Sequence, residues 1–189
     1  MNREALTEYR RRYAGMLDDA GIALTAHERD AIEIAELGLG EFERQGLGLI
    51  TYENNDRYCA KELVMLPRQT GPEHKHPPIT DAGGRVVDPG KRETFRCRRG
   101  EVYLYVEGEP TAQPRAAAPA GSEAYYTVRH EVVLRPGEQY TIPPDVWHWF
   151  QAGDDGAIVS EFSSTSRDAA DRFTDPRIVR VSSFEGDYE

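Results

Sequence analysis

Two hydrophobic periods divide the chain. Before about residue 45 the apolar positions recur at helical spacing, with Leu6, Tyr9, Tyr13, Met16 and Leu17 on one face. A second helix is expected over TAHERDAIEIAEL. Thr25 is its N-cap, Glu28 three residues on closes a capping box, and Ala31, Ile32 and Ala35 form its buried face. Residues 1–45 are therefore expected as a helical segment packed on a larger body.

After Gly46 the period shortens. LGLITYE, YCAKELVMLP, ETFRC, EVYLYVEG, YYTVRHEVVL, EQYTI and AIVSEF are short runs rich in β-branched and aromatic residues, separated by Gly, Pro, Asp and Asn. This pattern predicts an all-β sandwich or small barrel. The absence of βαβ alternation argues against doubly wound and (β/α)8 folds. Residues 46–189 are expected to form the barrel and a C-terminal tail that wraps back over it, the whole chain being one domain. Gly108–Glu123, rich in Pro, Ala and Gly, is expected to be a mobile loop between strands.

Composition narrows the partners. The formal net charge of −10 repels phosphate backbones and anionic bilayers, so neither nucleic acid nor membrane is expected as a partner. No apolar run approaches the ~20 residues that span a bilayer. The charged start MNREALTEYRRRYAG lacks an apolar signal core, which points to the cytoplasm. Cys59 and Cys97 lack paired metal or redox spacing and are expected as small buried apolar residues.

The candidate chemistry begins with the histidines. His27 opens a helix and His130 lies in a strand, each without a ligand-spaced companion. His74 and His76 differ, because residues i and i+2 of an extended segment point the same way and can share one ion. Alone the pair is a weak signal, since polar turns produce it by chance. Glu93 at a strand start and the later Gly137, Pro143 and His148 supply means of bringing a carboxylate and a third imidazole to the same cavity. Lys91, two residues before Glu93, would aim there too, unless it is a solvated loop lysine. Lys61 shares strand parity with Cys59, Leu63 and Met65, a costly place for a lysine unless it is paired or a bulge breaks the parity. Glu161 is either an acid/base facing the cavity or a paired structural carboxylate. Trp147 and Trp149 flank His148 and are expected to pack in the core or at an interface.

At these residues the chain resembles the cupins, whose pattern is H-x-H, a Glu ahead of Gly, and a later G-x5-P-x-G-x2-H. The resemblance implies a double-stranded β-helix, or jelly-roll barrel, with His74, His76, Glu93 and His148 as metal ligands. This chain departs from the pattern in the long insert PPITDAGGRVVDPGKR, in Asp145 at a usual Gly and in Ala152 at a frequent Asn. NNDRYCAKELVMLPRQTGPEHKHPP, GKRETFRCRRGEVYLYVEGEP and IVSEFSSTSRDAADRFTDPRIVR further resemble the D-lyxose isomerase family. That resemblance implies aldose–ketose isomerisation of D-lyxose and D-xylulose, with D-mannose and D-fructose as further substrates. It implies manganese as activator, Lys91 and Glu161 as catalytic acid/base residues, and Lys61 as a sugar contact. Zn2+, Co2+, Ni2+ and Fe2+ suit the same three-imidazole, one-carboxylate set. Strand edges in cupins are commonly covered by pairing, so a homodimer is expected. The alternatives are a cupin isomerase of phosphorylated sugars, an iron cupin dioxygenase and a non-enzymatic sugar-binding cupin.

Overall fold

A computed structural model of the chain describes residues 1–180. Helix α1 spans Arg3–Asp19, capped by the Asn2 side chain, which accepts a hydrogen bond from the Ala5 amide at 2.9 Å. Its buried Tyr13 and Leu17 pack on Ile32, Ile34, Ile50, Val64 and Ile158. The Tyr13 hydroxyl donates to Gln69 Oε1 at 2.7 Å, tying the helix to the barrel.

The second helix is shorter than its sequence suggests. α2 covers only Ala26–Asp30, and Glu33–Ala35 forms strand β1. The capping box is present. The buried positions beyond it, Ile32 and Ile34, are two apart with exposed Glu33 between them, which is the strand period. β1 pairs antiparallel with β2, Leu47–Asn54, so the expected wholly helical segment of residues 1–45 contains a strand.

The rest is antiparallel sheet: β3 Cys59–Met65, β4 Thr70–Lys75, the small hairpin β5 Ile79–Thr80 and β6 Val86–Asp88, β7 Glu93–Val106, β8 His130–Leu134, β9 Gln139–Ile142, β10 His148–Ser163 and β11 Arg172–Phe173. β7 and β10 pair along nearly their whole length. Their outer halves join β8 and β4 in one layer, while their other halves join β9 and β3 in a second. The two layers meet where the strands bend, at Gly100 and Gly156, both at positive φ (73° and 74°). A Cβ at Gly100 would sit 2.0 Å from the Gly156 carbonyl oxygen, so no other residue fits there. Between the layers lies the main core, with Leu49, Leu63, Phe95, Leu104, Phe150 and Val159.

Two connections follow from outward-facing residues. Glu73, on the reverse of β4, accepts from the amides of Thr127 and Val128 at 2.5 and 3.0 Å. Ala116, in the loop expected to be mobile, is buried, and its amide donates to the Tyr105 hydroxyl at 3.1 Å. Trp149 stacks on Tyr105 at 3.9 Å in the same outer cluster, which is the packing role expected of it. The tail returns over the barrel: β11 pairs with β4, and the Val179 amide donates to the Leu37 carbonyl at 2.9 Å. The part of the tail beyond residue 180 lies outside the described residues. No described helix is long and apolar enough to cross a membrane.

Candidate active site

Strand alternation gathers the chemistry inside the barrel. His74 and His76 leave the end of β4 on one side of the chain, and Glu93 opens β7. His148 opens β10, directly across from His74. Ahead of it, Asp145, at a usual Gly of the cupin pattern, holds φ at 62°, the left-handed conformation that Gly adopts freely and Asp tolerates better than most residues. Its amide donates to the His76 carbonyl at 3.0 Å and its carboxylate pairs with Lys75 at 2.7 Å, so the substitution keeps the turn.

One donor atom from each of these four residues lies within 4.8 Å of the others. Each imidazole spends Nδ1 elsewhere. His74 donates to the Pro72 carbonyl at 2.8 Å and His148 to the Val146 carbonyl at 2.9 Å, the same two-residue reach-back in both strands. His76 donates to Asp171 Oδ1 at 2.5 Å. These bonds orient the three Nε2 atoms inward. His76 Nε2 and His148 Nε2 lie 3.3 and 2.9 Å from Glu93 Oε1, and all three atoms are buried without a hydrogen-bond partner. A buried polar atom without a partner is costly, and three converging on one point fit a shared cation. The electrostatics agree. Burial, with His148 and His76 beside it, keeps His74 well below its usual pKa and therefore neutral. Burial opposes charge on His76 as well, yet Glu93 and Asp171 outweigh it and raise that pKa to about 9. The point between the rings therefore attracts positive charge, and three nitrogens with one carboxylate suit a borderline divalent ion.

Beside this cluster sits a buried ion-pair chain. Lys91 Nζ lies 2.7 Å from Glu93 Oε2 and 2.8 Å from Glu161 Oε1. Burial works against the ammonium, but the two carboxylates hold its pKa above the ordinary lysine range. Glu93 is in turn held well below the usual carboxylate range by Lys91 and His76, against the cost of burial. Glu161 Oε1 also accepts from Ser163 Oγ at 3.1 Å, which leaves Oε2 as its unengaged atom. Lys61, one strand over and in register with Glu161, is 6% exposed. Its Nζ donates to Ser166 Oγ at 3.1 Å and lies 3.6 Å from Asp168. All seven sequence-derived candidates thus converge, and six of them line one cavity. His148 completes the metal cluster behind that wall. The cavity also has an apolar part to its lining, with Leu49, Leu63, Phe95 and Phe150.

The tail adds residues to which the sequence assigned no role. Asp171 holds His76, and Phe173 stacks on His74 with ring centroids 5.5 Å apart. Asp168 pairs with Arg180, both at the cavity. Burial would raise the Asp168 pKa, but Lys61 and Arg180 bring it down to about 2. The stretch SRDAADRFTDPR carried part of the family resemblance. Its spacing could not show that Asp171 reaches a histidine 95 residues earlier.

With this geometry in place, comparison with known proteins is informative. The D-lyxose isomerase family model matches residues 103–189. The D-lyxose ketol-isomerase of Cohnella laeviribosi is 63% identical over 180 residues, 95% of this chain and 96% of its own. The D-lyxose/D-mannose isomerase of Thermosediminibacter oceani is 60% identical, covering 89% of this chain and 90% of its own. Among solved structures, Cellulomonas parahominis L-ribose isomerase with L-ribose superposes with a TM-score of 0.75 at 16% identity, over 94% of each chain. At that identity the likeness concerns the fold: a mainly β, cupin-type jelly-roll barrel with N-terminal helices. Identity near 60% across almost the whole chain carries more, and on it the chain belongs to the D-lyxose isomerase family.

Proposed function

We propose that this chain is a metal-dependent aldose–ketose isomerase that interconverts D-lyxose and D-xylulose, and D-mannose and D-fructose. The observation that carries the reading is the adjacency of a four-donor metal cluster and the Lys91–Glu161 pair in one half-apolar cavity. The names of the relatives supply the two aldoses, D-lyxose and D-mannose, and the family resemblance supplies the ketoses.

In this reading His74, His76, Glu93 and His148 hold the ion. A bound divalent ion supplies Lewis acidity toward the carbonyl and hydroxyl oxygens of the open-chain sugar. Glu161 takes the C2 proton on its unengaged Oε2 and returns it at C1 through a cis-enediol, while the hydroxyl proton passes between the adjacent O2 and O1 of that enediol, so that C1 gains the hydroxyl and C2 the carbonyl. Lys91 stays charged between its carboxylates, so it acts as a hydrogen-bond donor to oxygen as negative charge develops, and not as a base. Lys61, fixed by Ser166 and Asp168, contacts a hydroxyl further along the sugar.

Manganese is the ion we assign, on the family resemblance. The reading extends to one domain over residues 1–189, to a homodimer, and to the cytoplasm, where the buried, unpaired Cys59 and Cys97 would remain thiols. The direct test strips the metal, restores Mn2+ and assays free aldoses and ketoses. Metal-dependent conversion of D-lyxose is expected. Turnover of phosphorylated sugars alone, or of none, would overturn the proposal.

Asp171 gives a narrower prediction. Asn in its place keeps the shape but loses the carboxylate that orients and polarises His76. Metal affinity is expected to fall about 10–100-fold, the usual cost of losing such a partner. Competition with a chromogenic chelator measures it, and an Asp171→Asn protein that holds metal as tightly as the parent would remove this role.

A further inference from the structure

The long insert over residues 77–92 departs from the cupin pattern, and its last turn carries Lys91. Its strands β5 and β6 form a small sheet of their own, with Val86 and Val87 exposed. Residues 89–92, between β6 and β7, belong to no strand. The sheet ladder therefore does not place Lys91, although its ammonium must sit between Glu93 and Glu161.

Side-chain contacts do this instead. The Asp88 carboxylate closes the turn into Lys91 with one oxygen and binds the tail with the other. Oδ1 accepts from the Gly90 amide at 2.9 Å, and Oδ2 accepts from Arg167 Nε at 2.5 Å. Pro89, between Asp88 and Gly90, stiffens the backbone on both sides. Gly90, at φ 88°, packs on the His76 carbonyl, and a Cβ there would lie 2.5 Å from that oxygen. On the other flank of Lys91, Arg92 exchanges two bonds with Ser164. Its amide donates to the Ser164 hydroxyl at 3.1 Å, and its carbonyl accepts from the Ser164 amide at 3.0 Å. The stretch 164–167, just after β10, thus holds Lys91 from both sides.

The Asp88–Arg167 pair suits positioning better than stability. The Arg167 side chain is 51% exposed, and an ion pair so open to water adds little to folding. Arg167, helped by the Gly90 amide, nevertheless holds the Asp88 carboxyl below its usual range, so the pair is charged at neutral pH. Lys61 does not depend on it. Ser166, which accepts from the Lys61 ammonium, has its own anchor in Asn54, whose side chain bonds the Ser166 carbonyl and amide at 3.1 and 3.0 Å. The four metal donors are other residues again. Loss of the pair would therefore act on Lys91, where a displacement of about 1 Å can cost about 10²-fold in rate.

We propose that Asp88 and Arg167 are positioning residues for the reaction: their ion pair fastens the end of the insert to the tail and so sets where the Lys91 ammonium stands between Glu93 and Glu161. This role rests on the isomerase reading given above. It assigns the work of the insert to its closing turn and leaves the outer hairpin dispensable.

Steady-state kinetics with D-lyxose on the metal-loaded full chain test this, with metal counted per chain and hydrogen exchange read peptide by peptide. Arg167→Ala removes the pair, and Asp88→Asn removes its charge while keeping an oxygen for the Gly90 amide. Each is expected to lower kcat about 10-fold with KM and metal content at the parent level, the mark of a contact made in the transition state. Asp88→Ala also opens the turn and is expected to lose about 10²-fold. Asp88→Asn combined with Arg167→Ala should be no slower than either alone, because both remove one shared interaction. In each variant the peptide over residues 88–92 should lose protection from exchange while the barrel strands keep theirs. Arg85→Ala, whose side chain is 82% exposed at the hairpin turn, is the control and should match the parent. Parent-level kcat or unchanged exchange in the pair variants would overturn the proposal. So would losses that multiply in the double variant, metal lost along with kcat, or an equally slow Arg85→Ala. A parent that turns over no sugar would sink the isomerase reading and this role with it, whereas an active parent with unchanged variants sinks this role alone.

Discussion

Glu161→Gln is expected to lower kcat by roughly 10²–10⁴-fold, the usual worth of a general base, while metal content stays at the parent level. Gln keeps the length of Glu and an oxygen that can accept from Lys91 and Ser163, as Oε1 does now at 2.8 and 3.1 Å. It loses the ability to hold a proton on the second atom, which is the single step asked of Glu161. The four metal donors are other residues, so binding of the ion should be untouched. Initial rates with D-lyxose, with metal counted per chain on the same sample, separate the two effects. A variant within tenfold of the parent, fully metallated, would mean that another group moves the proton. If the route runs through an enediol, the parent should also place solvent deuterium in its product. Absence of label at every conversion would favour a hydride shift.

The legible part of this site was the part encoded at short range. His74 and His76 announce themselves because extended backbone repeats every two residues, and Lys91 reaches the cavity beside Glu93 by the same geometry. Lys61 was marked by its cost, since a lysine among Cys59, Leu63 and Met65 needs a reason. That reason, Ser166 and Asp168, lies more than 100 residues away and could not be read from spacing. Asp171 was invisible for the same cause. The misreading of Ile32 and Ala35 as a helix face has a different origin. A strong capping box at Thr25 starts a helix but does not set its length, and pairing with β2 won over continuing the helix. The bends at Gly100 and Gly156 were also hidden, because β7 read as two runs, ETFRC and EVYLYVEG, and β10 only as its second half, AIVSEF, where the structure has one long bent strand in each place.

Lys91→Met should give three changes that diverge. Lys91, Glu93 and Glu161 are at most 8% exposed, and the ammonium lies between the two carboxylates. Removing one partner of a buried pair costs about 3–5 kcal/mol, because the remaining charge stays uncompensated. In metal-free protein the full cost applies to Glu93 and Glu161 together, so the melting temperature should fall sharply. A divalent ion offers Glu93 a replacement cation, since Oε1 faces the histidines while Oε2 faces Lys91. Recovering even half of a ~3 kcal/mol loss corresponds to about tenfold tighter metal binding, and linkage requires that the metal rescue stability by the same amount. Isomerisation should nevertheless drop by about 10²–10³-fold, because the cation that steadies negative charge on the sugar is gone. The variant is thus expected to be less stable without metal, to bind metal more tightly and to turn over far more slowly. Weaker metal binding than the parent, measured by chelator competition, would show that Lys91 and the ion do not compete for the charge of Glu93. Near-normal turnover would remove Lys91 from the reaction.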